Sequence, residues 1–156
     1  MKGIELIVHS ASANATQAIA ATLAKQCKPG DCMLLSGDLG SGKTTFARGF
    51  IEALSPGCGE ITSPTFTLVQ TYPAGGTTLW HFDLYRLKNP AELAETGLEE
   101  ALASGITLIE WPELARSELP IAALDVMIIA GDNPVQRTIR FCGSPAWAAR
   151  LEELQR

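Results

Sequence analysis

The sequence contains few of the residues that build zinc sites or disulfide frameworks. Among its 156 residues are four cysteines, none spaced as CxxC, and two histidines, His9 and His81. A structural zinc site needs about four such ligands at close spacing, so a zinc-binding module is excluded. We expect the cysteines to be reduced structural thiols, and we interpret His81 as a strand residue rather than a catalytic base.

Long hydrophobic runs are also missing. The N-terminal segment 1–10 carries Glu5 and His9 within its apolar stretch, unlike the uninterrupted core of a signal peptide. No later run approaches the roughly 20 apolar residues that cross a bilayer. We therefore expect a cytoplasmic protein without membrane association.

Basic residues are too few and too scattered to form a nucleic-acid surface. Twelve Lys and Arg face seventeen Asp and Glu, which gives a net charge of -5 and a pI near 5.0. Direct binding of nucleic acid usually requires clustered cations that neutralise several phosphates. The chain could still act on RNA if a partner supplied the basic surface.

The order of apolar segments predicts a mixed sheet with helices on its faces. Strands are predicted at residues 4–8, 32–36, 66–72, 78–82, 106–109, 126–130 and 138–142. Helices are predicted at 14–25 with Asn14 as N-cap, from the glycine-rich loop to residue 54, at 90–103 with an interruption at Gly97, and at 145–154. We expect one domain over residues 1–156, with a three-layer α/β, P-loop NTPase-like fold and a mixed parallel/antiparallel sheet. The strands at 66–72 and 78–82 should form an antiparallel hairpin with the loop 73–76.

A phosphate-binding loop is the strongest motif in the sequence. Residues Gly37 to Thr44 read GDLGSGKT, directly between an apolar strand and a helix. Glycines let the backbone curl until several N–H groups converge on phosphate, Lys43 reaches the β- and γ-phosphates, and Thr44 binds magnesium. The residues expected to contact the nucleotide are Asp38, Leu39, Gly40, Ser41, Gly42, Lys43, Thr44 and Thr45. The alternative, a glycine-rich turn with a solvent-facing lysine, is disfavoured by this context.

Two acidic residues follow apolar strands. Asp83 comes after the strand at 78–82 and Glu110 after the strand at 106–109. If both strands run parallel to the strand before the loop, both carboxylates reach the same edge of the sheet. We predict magnesium ligation by Thr44, Asp83 and Glu110 and catalysis by Lys43, Asp83 and Glu110. Which acid positions the metal and which the attacking water stays open.

Two further residues carry an open alternative. Thr65, in Ser63-Pro64-Thr65, is predicted either to sense the γ-phosphate or to start a strand after a turn that Pro64 stiffens. Trp111 is predicted either to cover the nucleotide or to pack at a strand end.

Four ordered blocks of the sequence resemble the bacterial TsaE family, formerly called YjeE. They are GDLGSGKTTFARGF at 37–50, SPTFTLVQTY at 63–72, HFDLYRL at 81–87 and IEWPE at 109–113. The resemblance implies the ATPase component of the machinery that installs threonylcarbamoyl on the adenosine beside the tRNA anticodon. It also implies a mixed sheet surrounded by helices, and TsaB and TsaD proteins as partners, with TsaD performing the transfer.

The same resemblance assigns roles to individual residues. It implies that Lys43 and Thr44 bind phosphate and magnesium, that Asp83 and Glu110 serve metal binding and hydrolysis, and that Trp111 belongs to the site. The N-terminal helix and the residues after Asp132 match the family only in kind. We expect adenine contacts near residues 13–16.

Three competing functions differ in the motifs they require. A GTPase would carry NKxD and DxxG motifs, which are absent after the loop, so ATP and Mg²⁺ are the expected cofactors. A small-molecule kinase usually has an arginine-rich lid, and Arg86, Arg116, Arg137 and Arg140 are spread along the sequence. A third function stays open: a switch whose affinity for a partner depends on the bound nucleotide and whose hydrolysis is incidental. Because no arginine finger is evident, we expect slow hydrolysis alone and faster hydrolysis with partners.

Overall fold

The computed structural model describes residues 3–61, 64–65 and 67–155. Strands in these residues are Ile4–Ser10 (β1), Cys32–Ser36 (β2), Val69–Ala74 (β3), Thr77–Asp83 (β4), Ile106–Glu110 (β5), Leu124–Ala130 (β6) and Arg137–Gly143 (β7). The α-helices are Ala13–Ala24 (α1), Lys43–Leu54 (α2), Leu98–Ser104 (α3) and Ala148–Glu152 (α4). Short 3-10 helices lie at Pro90–Glu95, Pro112–Glu118, Pro145–Trp147 and Glu153–Gln155. None of these helices combines the length and apolarity needed to cross a bilayer.

The strands form one mixed sheet in the order β1-β7-β6-β2-β5-β4-β3. Strand β2 runs parallel to β5 and β6, and β4 runs parallel to β5. The pairs β1–β7, β6–β7 and β3–β4 are antiparallel. The predicted mixed sheet is thus confirmed, and the carboxyl ends of β2, β5 and β4 lie side by side at one edge.

Helical layers cover the two faces of the sheet to different extents. On one face, α1 and α2 bury apolar side chains such as Leu23 and Phe46 against the strands. On the other, α3 and two 3-10 helices cover β2, β5 and β4 through Leu93, Leu98 and Ala115. Every residue of β2 and β5 is buried, because these central strands are covered on both faces.

Two predicted boundaries are wrong at specific residues. Helix α1 is capped by Ser12, not Asn14, because the Ser12 hydroxyl accepts a hydrogen bond from the Ala15 N–H at 3.1 Å. Strand β3 begins at Val69 and continues through Pro73, which pairs with Thr78. Proline is tolerated there because β3 is the edge strand of the sheet that the described residues form. Phe66, which was predicted to start this strand, lies outside the described residues.

The remaining differences are shifts at element ends. The hairpin loop, predicted at 73–76, contains only the two residues between Ala74 and Thr77, because β3 and β4 pair up to these positions. The predicted closing helix at 145–154 is the short helix α4 with a 3-10 turn on either side. The interruption predicted at Gly97 separates a 3-10 helix from α3.

The four cysteines form no disulfide. Burial raises the pKa of the Cys27 thiol and of the Cys32 thiol to about 12. Both thiols therefore stay protonated at neutral pH and are poor nucleophiles.

Helices α1 and α2 cross at Gly49, where a side chain has no room. A Cβ atom at Gly49 would lie 2.5 Å from the carbonyl oxygen of Gln17 and 2.6 Å from its Cα.

We expect Gly49→Ala to lower the free energy of unfolding by about 2 kcal/mol. The added methyl group forces α1 and α2 apart, and the packing energy lost exceeds the gain in helix propensity from alanine. Urea denaturation measures the change. Glu52→Ala, on the exposed face of α2, should change it by less than about 0.5 kcal/mol, and equal stabilities for wild type and Gly49→Ala would contradict this packing.

Candidate functional site

The glycine-rich loop connects the buried end of β2 to the first turn of α2. Gly37 has φ +142°, and a Cβ atom there would lie 2.4 Å from the carbonyl oxygen of Ile128 on the neighbouring strand β6. Gly42 is the left-handed N-cap of α2, with φ 111° and ψ 17°. Since the free N–H groups of a helix N-terminus attract anions, the loop and the start of α2 form a cradle whose donors suit an anion.

Lys43 is held inside this cradle. Only 5% of the residue is exposed, and its Nζ donates hydrogen bonds to the carbonyl oxygens of Gly37 at 2.6 Å and Asp38 at 2.9 Å. Burial lowers the pKa of Lys43, while nearby carboxylates, Glu110 foremost, oppose that shift. The ammonium group is thus fixed by the carbonyl oxygens of two loop residues.

The two predicted carboxylates arrive next to each other. Asp83 and Glu110 are register partners at the ends of the parallel strands β4 and β5, and both are buried. The Thr44 hydroxyl donates to Glu110 Oε1 at 3.3 Å. The Thr65 hydroxyl donates to Asp83 Oδ2 at 2.9 Å. One carboxylate is therefore linked to the first turn of α2, and the other to the segment that follows residue 63.

Trp111 lies directly after Glu110 and covers the lysine. Its backbone is left-handed, with φ 59° and ψ 53°, a costly conformation for a bulky residue. Its ring centroid lies 4.0 Å from Lys43 Nζ and 4.9 Å from the ring of Tyr85. Trp111 thus lines the pocket, and it also packs, partly buried, against the apolar cluster on this side of the sheet.

These groups surround a pocket of about 310 Å³. Its lining residues are Leu39, Gly40, Gly42, Lys43, Thr44, Thr45, Thr65, Asp83, Tyr85, Glu110 and Trp111. Two residues predicted to contact the nucleotide, Asp38 and Ser41, are not among these lining residues. Asp38 offers its backbone carbonyl to Lys43, and Ser41 is buried with its hydroxyl unpartnered among the described residues.

Sequence reasoning missed Arg137 at the back of the loop. Arg137 starts β7, and its Nε donates to the carbonyl oxygen of Ser41 while Nη2 lies 3.5 Å from the carbonyl oxygen of Gly40. The contact joins residues almost 100 positions apart, so only knowledge of the sheet order could have revealed it. Arg137 restrains the loop from outside and does not form a lid over the pocket.

A smaller cavity of about 80 Å³ adjoins the loop on the side of α1. Ala13 and Thr16, from the region expected to contact adenine, line it together with Gly42, Thr45, Pro134, Val135 and Arg137. The first turns of α1 and α2 thus share one wall.

The donor set of the main pocket suits a hard cation. Thr44, Asp83 and Glu110 offer only oxygen atoms, which Mg²⁺ prefers. The described residues contain no group of three or more His, Cys, Asp and Glu side chains that could hold a metal ion by themselves. Nucleotide-bound magnesium typically takes one or two protein ligands and completes its shell with phosphate oxygens and water.

The chain is similar to proteins of one family. Residues 10–139 match the family model described as threonylcarbamoyl adenosine biosynthesis protein TsaE. The tRNA threonylcarbamoyladenosine biosynthesis protein TsaE of Rickettsia conorii is 48% identical over 121 residues, covering 76% of this chain and 67% of that protein. The protein of the same name from Bacillus subtilis is 41% identical over 143 residues, covering 90% and 88%.

A solved structure is similar over almost the whole chain. The crystal structure of YdiB from Bacillus subtilis superposes with a TM-score of 0.80 at 34% identity, covering 99% of this chain and 97% of that one. The expected α/β fold and the resemblance seen in four sequence blocks are both confirmed. The chain therefore belongs to the TsaE family, which takes part in the biosynthesis of threonylcarbamoyladenosine in tRNA.

Proposed function

We propose that this chain binds ATP with Mg²⁺ in the main pocket and hydrolyses it to drive turnover of the tRNA-modifying machinery. The observation that carries the proposal is the meeting of Lys43, Thr44, Asp83 and Glu110 in one pocket at the end of the loop. A cation, a hydroxyl and two carboxylates around a helix N-terminus are the groups that phosphoryl transfer to water requires.

Each group has a role that follows from its position. The loop N–H groups and Lys43 bind the phosphates, since the Lys43 ammonium already lies at the loop carbonyls. Thr44 and Glu110, linked by a hydrogen bond, hold magnesium. Asp83 orients the attacking water, and Thr65 beside it faces the γ-phosphate. Bound magnesium would neutralise charge on the phosphate oxygens.

The nucleotide base is proposed to extend towards Ala13 and Thr16. Gly42 and Thr45 line both this cavity and the main pocket. We favour ATP over GTP because the sequence has no NKxD motif to read guanine.

Partner proteins are proposed to complete the site. Arginine is missing from the residues that line the described pocket, so the charge that develops on the transferred phosphoryl group is only partly stabilised. TsaB and TsaD are the proposed partners in the cytoplasm, with tRNA bound through the complex because the net charge here is -5. The missing arginines also disfavour a phosphoryl-transferring kinase.

Hydrolysis assays with and without partners test the proposal. The purified chain should hydrolyse ATP slowly, only with magnesium, and faster than GTP. Addition of TsaB and TsaD should raise the rate by at least about 10-fold, because a cation supplied in trans stabilises the transition state. Full activity without partners would contradict the coupling to partners and indicate an uncoupled ATPase. If no mixture showed magnesium-dependent hydrolysis, the chain would instead be a nucleotide-dependent binding switch.

A further inference from the structure

His81 is a buried polar residue for which the proposed chemistry has no use. It lies in β4, two residues before Asp83, so both side chains point to the same face of the sheet. None of its surface is exposed, and its Nε2 lies 2.6 Å from Glu110 Oε2. The prediction that His81 is a strand residue is confirmed, but the residue also contacts the site from behind.

The two carboxylate oxygens of Glu110 make hydrogen bonds on opposite sides. Oε2 contacts His81 in the interior, whereas Oε1 contacts the hydroxyl of Thr44 at the pocket. A carboxylate oxygen can only accept, so Nε2 of His81 carries the hydrogen. The Nδ1 atom has no partner among the described residues.

We propose that His81 is a positioning residue that orients the Glu110 carboxylate so that Oε1 faces Thr44 and the magnesium of the nucleotide. The inference rests on the proposed function, since it concerns the same pocket. It does not require His81 to gain or lose a proton. Without the bond to Oε2, the carboxylate can rotate, and its pocket-facing oxygen loses the fixed position that an octahedral Mg²⁺ shell demands.

Two amide variants separate this role from simple core packing. The side-chain nitrogen of glutamine lies the same number of bonds from the backbone as Nε2 of histidine, whereas that of asparagine matches Nδ1. His81→Gln therefore keeps a donor within reach of Glu110, and His81→Asn does not. Thr107→Val is the matched control, because Thr107 is buried in β5, its hydroxyl has no partner in the part of the chain that the structure describes, and it pairs with Trp80 rather than with the site.

The experiment measures how much magnesium tightens nucleotide binding. The affinity of each variant for a fluorescent, non-hydrolysable ATP analogue is titrated with excess EDTA and with excess MgCl₂. We expect His81→Asn to reduce the magnesium-dependent tightening about 10-fold, as outer-shell substitutions do at metal sites. His81→Gln should stay within about 3-fold of wild type, Thr107→Val should match wild type, and the affinity in EDTA should be the same in all four proteins.

A double variant identifies the route of the effect. If His81 acts through Glu110, His81→Asn should cause no further loss in a Glu110→Ala background. Three results would overturn the inference: full tightening in His81→Asn, equal losses in the two amide variants, or an equal loss with and without the Glu110 carboxylate. A wild-type chain that binds no nucleotide would instead overturn the proposed function, and the inference with it, before any variant is compared.

Discussion

Replacing Lys43 with alanine should weaken ATP binding about 100-fold, because hydrogen bonds to a charged group contribute about 1.5–3 kcal/mol each. Lys43 is buried at the start of α2, where its ammonium is held by the carbonyl oxygens of Gly37 and Asp38. No other lysine lines the described pocket to take its place. Equilibrium titration with a fluorescent ATP analogue measures the loss.

The matched control for this variant is Lys28→Ala. Lys28 is exposed in the turn before β2, at the opposite end of the strand from the loop, so ATP affinity should be unchanged. Thermal melting of both variants checks that the fold is retained. Unchanged ATP affinity in Lys43→Ala would contradict the placement of phosphates beside Lys43.

Substituting the two carboxylates should produce two different kinetic defects. Glu110 contacts Thr44, the proposed magnesium ligand, whereas Asp83 contacts Thr65. We expect Glu110→Gln to raise the magnesium concentration for half-maximal hydrolysis by at least about 10-fold. Asp83→Asn should instead lower the rate at saturating magnesium about 100-fold, because the attacking water loses the carboxylate that orients it. Hydrolysis rates measured over a series of MgCl₂ concentrations separate the two.

Glu118→Gln serves as the control for both substitutions. Glu118 is exposed in the 3-10 helix after β5, and its neutralisation should leave both kinetic parameters unchanged. Wild-type kinetics in both Asp83→Asn and Glu110→Gln would refute the assignment of metal binding and hydrolysis to this pair. Identical defects in the two variants would refute only the division of roles.

Local patterns were enough to predict the centre of the fold. Strand β2, the loop and α2 follow one another without interruption, and each has its own sequence signature. The bounds of β2 are those expected from its apolar run. The N-cap of α1 was wrong because Ser12 and Asn14 are both good capping residues, and only the backbone path decides between them. Pro73 reads as a loop residue until its strand is known to lie at the sheet edge.

The part of the site that lies at the carboxyl ends of the parallel strands could be predicted from the sequence. Asp83 and Glu110 were expected together because the carboxyl ends of parallel strands share one edge. Arg137 could not be found, since its contact with the loop depends on β6 lying beside β2 and β7 beside β6. The placement of His81 on the same face as Asp83 could have been predicted, because the two residues are two positions apart in one strand. The contact of His81 with Glu110 could not, because it depends on the register between β4 and β5.

The central claim is that ATP bound by this chain drives repeated cycles of tRNA modification. Its most direct test is threonylcarbamoyladenosine formation in a mixture of purified TsaB, TsaD, the other components of the pathway and tRNA, with tRNA in large excess over enzyme. With the wild-type chain we expect many modified tRNA molecules per complex, and with Lys43→Ala no more than about one. Multiple turnover at the wild-type rate with Lys43→Ala would contradict the claim.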